Sequence, residues 1–295
     1  MDITDLRAHP ERLPTYLFHQ RIRETPVGGG SICQARRLTL EDGDSLFAKS
    51  RDDAPDDFFV TEAAGLRWLG EATAAGGVPV PEVIAALPEL LALAWVEPGA
   101  PTPGAAERFG RELAATHRAG AEAFGALWPG FIGSLRQDNT VTPTGYGWAE
   151  WFAQRRLEPY LRLAAERRAL PTQDVTAVRS LLDRIAEFAP PPEPPARLHG
   201  DLWPGNVLWS AEGRAWLVDP AAHGGHRETD LAQLALFGGA PHLDRILAAY
   251  REAWPLADGW RDRVPLHQLH LLLVHAALFG GAYRGAVMSA VASLR

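Results

Sequence analysis

The sequence lacks several features that mark common protein classes. It contains one cysteine, Cys33, so no disulfide can form within the chain, and a lone thiol suits a reducing compartment. The N-terminal segment MDITDLRAHPERL has neither the basic region nor the apolar region of a signal peptide. The formal charge of -7 lacks the basic excess of a nucleic-acid binder. The most apolar late run, 266–279, contains three histidines and is typical of a buried helix. These absences predict a cytoplasmic protein with no nucleic-acid partner and no membrane span.

Lysine is almost missing as well. Of the 29 basic residues, Lys49 alone is lysine and the others are arginine. A coding bias toward arginine explains the missing lysines, and the many alanines, glycines and prolines agree with it. The bias does not explain the lysine that remains. Because a compact ammonium and a planar guanidinium recognise different partners, we predict that Lys49 occupies a site that needs an ammonium.

The strongest pattern lies in the stretch that begins at Leu198-His199-Gly200. Asp201 can accept a proton from a hydroxyl, and Asn206 follows it after five residues. Asp219 comes at the end of a short apolar run, and carboxylate and amide oxygens are ligands that Mg²⁺ prefers. In a protein-kinase catalytic loop an Asp and an Asn stand five residues apart, and the metal-binding Asp lies beyond the next strand. A polar turn that contains acids by chance is the alternative, and three agreeing spacings favour phosphoryl transfer.

The first third of the chain predicts a nucleotide-binding sheet. Strands are expected at 21–27, 32–40, 46–49, 83–86 and 90–96, with one major helix at 58–69. A glycine-rich loop interrupts this pattern, and we predict that it covers nucleotide phosphates, although triple glycine is often only a flexible turn. The loop consists of Gly28, Gly29 and Gly30.

Lys49 and Glu62 form the second predicted constellation. A strand lysine can bridge the phosphates of ATP, and a helix glutamate can hold its ammonium in place. Glu71, near the end of the same helix, is an alternative partner for the lysine. The other interpretation is an ordinary surface ion pair without a role in function. The segment 92–97 is the predicted hinge, and we expect its residues Ala94 and Val96 to line the nucleotide site.

The Pro- and Gly-rich segment 98–103 is the strongest linker signal in the sequence. It divides the chain into an N-terminal nucleotide-binding lobe with hinge, 1–97, and a helical C-terminal catalytic and substrate lobe, 98–295. Within the second lobe, 124–147 is expected to be a long functional loop. Helices are expected at 104–123, 148–170 and 172–188. The predicted fold class is α+β: a two-lobed, protein-kinase-like fold with a five-stranded antiparallel sheet plus a helix, followed by a mostly helical lobe.

Three residues near the catalytic stretch each have two predicted roles. Trp203 is either a core residue or a flat face for a sugar ring. His199 is either a base or a residue that holds the catalytic loop through its backbone, and the second role is favoured. Asp230 either caps a helix or braces the catalytic loop from below, and both roles are compatible. Cys33 is expected to be a small buried apolar residue.

With these residues in view, the chain resembles the fructosamine/ketosamine-3-kinase family, relatives of the aminoglycoside phosphotransferases. The resemblance rests on three motifs and on a mid-chain segment that includes Gln137, Asn139 and 151–157. The motifs are His199-Gly200-Asp201-Leu202-Trp203-Pro204-Gly205-Asn206, Asp219-Pro220-Ala221, and Gly225-His226-Arg227-Glu228-Thr229-Asp230-Leu231-Ala232. The sequence departs from the family pattern at Ala222-His223-Gly224 and at Gln233, and these departures bear on sugar selectivity.

The resemblance implies ATP-dependent phosphorylation of the 3-hydroxyl of a ketosamine, free or protein-bound. Because the 3-phosphate is unstable and leaves, the activity amounts to deglycation. It further implies that Asp201 is the base, that Asn206 and Asp219 hold Mg²⁺, and that Lys49 and Glu62 position the phosphates of ATP. The alternatives are a kinase for another hydroxylated amine, such as an aminoglycoside or choline, and a nucleotide-binding pseudokinase. A monomer or weak dimer is expected.

Overall fold

The structure is a computed structural model, which describes residues 3–18, 22–28, 32–141 and 147–294. Eleven strands lie in these ranges: β1 Arg23–Pro26, β2 Gln34–Thr39, β3 Ser45–Ser50, β4 Val83–Ala86, β5 Leu90–Ala94, β6 Gly130–Ile132, β7 Leu135–Gln137, β8 Ala196–Leu198, β9 Val207–Trp209, β10 Ala215–Leu217 and β11 His223–Gly225. Eleven α-helices lie in the same ranges: α1 Ile3–Ala8, α2 Leu13–Phe18, α3 Phe58–Glu71, α4 Pro103–Arg118, α5 Trp148–Phe152, α6 Glu158–Glu166, α7 Thr172–Leu182, α8 Glu228–Gln233, α9 Leu243–Ala253, α10 Trp260–Phe279 and α11 Arg284–Ser293.

The predicted five-stranded antiparallel sheet is confirmed, with strand order β1-β2-β3-β5-β4. Because side chains alternate along a strand, Leu46 and Ala48 of β3 enter the core beneath the sheet, whereas Phe47 and Lys49 point to the other face. Helix α3 covers that second face. The strand thereby aims its lysine at the helix that carries Glu62.

Helix α3 packs through one apolar face. Phe59 and Leu66 are fully buried against Leu91 and Leu93 of β5. Glu62 lies three residues after Phe59 and four before Leu66, so it is on the same side of the helix. This spacing places a carboxylate at the edge of an apolar contact, facing the sheet.

The second half of the chain is mostly helical around α10. Leu266, Leu269 and Leu273 of α10 are buried in the largest apolar cluster, to which α5, α6, α7 and α11 also contribute. Helix α4 packs against α9, where Phe109 and Tyr250 are both fully buried. None of the helices in the described ranges is long and apolar enough to cross a membrane.

Three local predictions were wrong in detail. The segment 124–147 is not a plain loop, because β6 and β7 form a short hairpin within it. The helix expected at 148–170 is interrupted by a π-helical segment, Ala153–Leu157, since Pro159 has no N–H to donate to the preceding turn. The helix expected at 104–123 ends at Arg118, just before Gly120 takes a left-handed backbone with φ +71°. The division at 97/98 stays a prediction.

Candidate active site

One cavity of about 970 Å³ gathers most of the predicted site residues. Its lining includes Gly28, Lys49, Glu62, Ala94, Val96, Asp201, Trp203, Asn206 and Asp219. Gly29 and Gly30 lie outside the described residues, so the expected phosphate-covering loop is seen only at Gly28. Residues from both halves of the chain, Gly28 and Asp219 among them, thus meet in one cleft.

Lys49, on strand β3, forms ion pairs with a residue of helix α3 and with a residue of the segment after β10. Its Nζ lies 2.6 Å from Glu62 Oε2 and 2.8 Å from Asp219 Oδ1. The lysine and glutamate side chains are about nine-tenths buried, whereas the Asp219 side chain is half exposed. Glu71, the alternative partner, pairs with Arg197 at 3.0 Å instead. The structure therefore has the geometry that the predicted Lys49–Glu62 role requires.

The ion triad sets the protonation of its members. Burial opposes the charge on Lys49, but the carboxylates of Asp219 and Glu62 outweigh burial and raise the pKa of the ammonium. Burial favours the protonated form of Asp219, but Lys49 outweighs it and holds the pKa of that carboxyl below its usual value. Burial raises the pKa of Glu62, and its Oε1 is buried without a hydrogen-bond partner. Lys49 and Asp219 are accordingly both ionised at neutral pH.

Asp201 and Asn206 are connected through the turn between them. Asn206 Nδ2 donates to the Asp201 backbone oxygen at 2.8 Å and to Asp201 Oδ2 at 3.2 Å. These two bonds fix the amide, so Oδ1 is the side-chain atom that Asn206 has left for a ligand. The other Asp201 oxygen, Oδ1, is buried and has no hydrogen-bond partner. Burial and the nearby charge of Asp219 raise the pKa of Asp201 well above its usual value.

Asp219 has an unusual backbone. Its φ is +54°, in the left-handed region that residues other than glycine rarely adopt. Asn206 Nδ2 lies 3.5 Å from the Asp219 backbone oxygen. Strained backbone of this kind concentrates at functional sites, where the surrounding structure holds it in place.

Two buried side chains, those of Asp230 and His199, hold the catalytic loop from behind. Asp230 accepts hydrogen bonds from the backbone N–H of His199 at 2.8 Å and of Gly200 at 2.9 Å. His199 Nε2 donates to the Val218 carbonyl oxygen at 2.8 Å, and its Nδ1 accepts from the Asp201 N–H at 3.2 Å. Both residues have the geometry of the predicted supporting role, since His199 is engaged through both ring nitrogens. Burial also lowers the pKa of His199.

Gln233, which the sequence marked as a departure from the family pattern, supports the catalytic loop, and sequence reasoning missed this role. Its Oε1 accepts from the Leu202 N–H at 2.7 Å, and its Nε2 donates to the Gly200 carbonyl oxygen at 3.2 Å. The side chain therefore clamps the loop on both sides of Asp201. Gln233 lies 31 and 33 residues along the chain from these two partners, and no local pattern in the sequence predicts the contact.

Trp203 is partly buried and faces the cavity. Its indole lies over Gly205, where any Cβ would collide with the ring. On its other side it meets Phe237 edge-on, at 5.9 Å between ring centroids. The ring therefore packs on the protein and also lines the cavity, and its role as a face for a sugar ring stays a prediction.

Comparison with known proteins agrees with this geometry. The family model described as fructosamine kinase matches residues 13–295. A candidate ketoamine kinase of Enterococcus faecium is 34% identical over 261 residues, which is 88% of this chain and 90% of the relative. The chloroplastic protein-ribulosamine 3-kinase of Oryza sativa subsp. indica is 30% identical over 272 residues, 90% of this chain and 76% of the relative.

Solved structures show the same fold. A candidate fructosamine-3-kinase of Thermobifida fusca has 51% identity and a TM-score of 0.86, covering 92% of this chain and 93% of its own. An aminoglycoside phosphotransferase has 14% identity and a TM-score of 0.65, covering 96% and 98%. The second likeness bears on the fold alone. The chain therefore belongs to the fructosamine kinase family and is an ATP-dependent phosphotransferase with a protein-kinase-like fold.

Proposed function

We propose that this protein transfers the γ-phosphoryl group of ATP to the 3-hydroxyl of a ketosamine. The observation that carries the proposal is Asp201 Oδ1, a buried carboxylate oxygen without a partner in the described chain, on a residue that lines the cleft. A hydroxyl placed there finds an acceptor for its proton. The ketosamine class comes from the family and from relatives named ketoamine kinase and protein-ribulosamine 3-kinase.

The residues that line the cleft can carry out each step of this transfer. The substrate oxygen forms a bond to the γ-phosphorus, the bond to the β,γ-bridging oxygen breaks, and ADP leaves. Asp201 takes the hydroxyl proton as the new bond forms. Lys49, held by Glu62, positions the phosphates. Because such transition states are loose, orientation and charge neutralisation carry most of the catalysis.

The donor set at this end of the cleft fits Mg²⁺. Asn206 Oδ1 and the half-exposed Asp219 carboxylate are hard oxygen ligands, and we propose that they hold the ion. When bound, Mg²⁺ neutralises charge on the transferring phosphoryl group. The side chain of Asn206 is turned for this role by its own bonds to Asp201.

The direct test is phosphate transfer from ATP, with magnesium, to fructosyl-lysine and ribulosyl-lysine. We expect turnover on at least one of them, with phosphate on the sugar 3-oxygen. An Asp201→Asn preparation serves as the control for contaminating kinases. Turnover on an aminoglycoside or on choline, with none on either ketosamine, would overturn the substrate class and leave the phosphotransferase.

A further inference from the structure

Five aromatic side chains form a continuous row on one wall of the cavity. This aromatic row consists of Trp203, Phe237, His275, Phe279 and Tyr283. Ring centroids lie 5.9 Å apart from Trp203 to Phe237, 4.6 Å from Phe237 to His275, and 5.5 Å from His275 to Phe279. Tyr283 closes the row, 5.0 Å from His275 and 6.1 Å from Phe237. The row begins two residues after Asp201 and continues past the length of a single sugar ring.

Core packing does not account for two of these rings, Phe237 and Phe279. Phe237 is 42% exposed and Phe279 is 47% exposed, although both are large and apolar. Phe237 also has a left-handed backbone, with φ +52°, which is strained for a bulky residue. A strained and exposed phenylalanine that lines the cleft indicates a role in ligand contact.

The electrostatics of the row suit a cation. Among the described residues that line the cavity there is no arginine, and its lysine, Lys49, is already paired with two carboxylates. Arg284, beside Tyr283, bonds to Asp174 on α7 instead. Aromatic faces carry negative potential and attract ammonium groups.

His275 contributes an acceptor to the same wall. Its Nδ1 is 2.8 Å from the Leu271 carbonyl oxygen, so Nδ1 carries the proton and Nε2 is left as an acceptor. Burial lowers the pKa of His275, so the ring is neutral at pH 7 and does not repel a cation. The row therefore offers ring faces and one nitrogen acceptor.

We propose that the aromatic row binds the protonated secondary amine of the ketosamine, together with the alkyl chain attached to it. This inference rests on the proposed function and specifies its acceptor: an amine-linked sugar in which the amine itself is recognised. The sugar hydroxyl lies at Asp201, Trp203 borders the sugar, and Phe237 with its neighbours holds the ammonium. A neutral ether of the same shape loses that attraction.

The experiment compares fructosyl-lysine with an ether in which oxygen replaces the linking nitrogen. Binding of each compound is measured by calorimetry in the presence of a non-hydrolysable ATP analogue, and turnover is measured separately with ATP. We expect the amine to bind about tenfold more tightly than the ether, the range of a partly desolvated cation–π contact. In Phe237→Leu and Phe279→Leu, which keep apolar bulk but remove a ring, this preference should fall to about twofold.

Kinetics give a second readout. The leucine variants should raise KM for the amine by about fivefold and leave kcat nearly unchanged, because the lost contact is equal in the ground and transition states. Phe188→Leu removes a half-buried ring outside the cavity, beside Arg184, and should change neither preference nor KM.

Two results would overturn the inference: equal binding of amine and ether by the unmodified protein, or an equal loss for both compounds in the leucine variants. The second result would make the row a plain apolar wall. Binding that prefers the amine, without turnover of either compound, would support the row as an ammonium site and contradict the proposed kinase reaction instead.

Discussion

The two ends of the cavity differ in charge: one is lined by ion-paired side chains and the other by neutral aromatic rings. At one end Lys49, Glu62 and Asp219 stand within one network of short contacts, and Asp201 lines the cavity beside them. At the other end the wall consists of rings, and its one titratable imidazole, His275, is kept neutral by burial, which lowers its pKa. In our proposal the first end holds phosphate and its metal, and the second holds the organic acceptor.

The two ends differ in how they limit the free-energy cost of removing charged groups from water. Desolvation of a charge is costly, so the charged end holds its ions in mutual contact and leaves only selected oxygens without partners. The aromatic end avoids the cost by carrying no permanent charge of its own. A substitution at the charged end should therefore reduce the chemical step, and one at the aromatic end should change acceptor affinity.

The largest effect is expected from Asp201→Asn. The amide still accepts the hydrogen bond from Asn206 but cannot take a proton, so kcat should fall by about 10³-fold, in the range of a lost general base. Affinity for ATP, measured by calorimetry, should stay within about threefold because Asp201 does not contact Lys49. A kcat within tenfold of the unmodified enzyme would contradict the assignment of the base.

A smaller loss is expected from Lys49→Arg, which keeps the charge and changes its shape. The planar guanidinium cannot reproduce contacts of 2.6 and 2.8 Å to two carboxylates in this buried space, so kcat/KM should fall by about 100-fold. Arg162→Lys on the exposed face of α6 exchanges the same residue types and should be silent. If both variants retain full activity, the single lysine reflects coding bias alone.

The charged end could be predicted from the sequence because its members obey short-range rules. Asp201 and Asn206 share one turn, and their spacing is a local property of the chain. Lys49 was distinguished by being the single lysine, on a predicted strand that follows the glycine-rich loop. Glu62 rather than Glu71 could not be decided from periodicity alone, since only the packing of α3 on the sheet fixes which glutamate meets the lysine.

The aromatic end could not be predicted in the same way. Trp203 was named because it neighbours Asp201, but the other rings come from the segment after α8, from α10 and from the turn before α11. Three helical elements must pack before those rings become neighbours. The hairpin of β6 and β7 was missed for another reason: strands of three residues are too short to establish an alternating pattern.

Elsewhere in the helical half, burial of a neutral imidazole has a measurable consequence at His226, whose ring lies 5.6 Å from that of His267. This side chain is 3% exposed, and burial, reinforced by His267, lowers its pKa to about 3. The charged neighbours that also act on it are Glu228, Arg227 and Arg263, and Glu193 lies 3.7 Å away. The ordinary histidine pKa is about 6.5, so between these values the unfolded chain binds a proton that the folded chain excludes. The free energy of unfolding therefore rises with pH across this window. The stability that the neutral His226 contributes is lost progressively as pH falls below about 6.5.

The smallest predicted effect is this change in the free energy of unfolding with pH. Between pH 7 and pH 6, His226 should lower the free energy of unfolding by about 1 kcal/mol, as measured by urea denaturation. In His226→Gln the decrease between these two pH values should be smaller by about that amount, because glutamine does not titrate. His9→Gln, an exchange at a side chain that is 45% exposed, should keep the full decrease. An unchanged decrease in His226→Gln would mean that this imidazole is already protonated in the folded protein, so that burial does not keep it neutral as it keeps His275 neutral at the aromatic end.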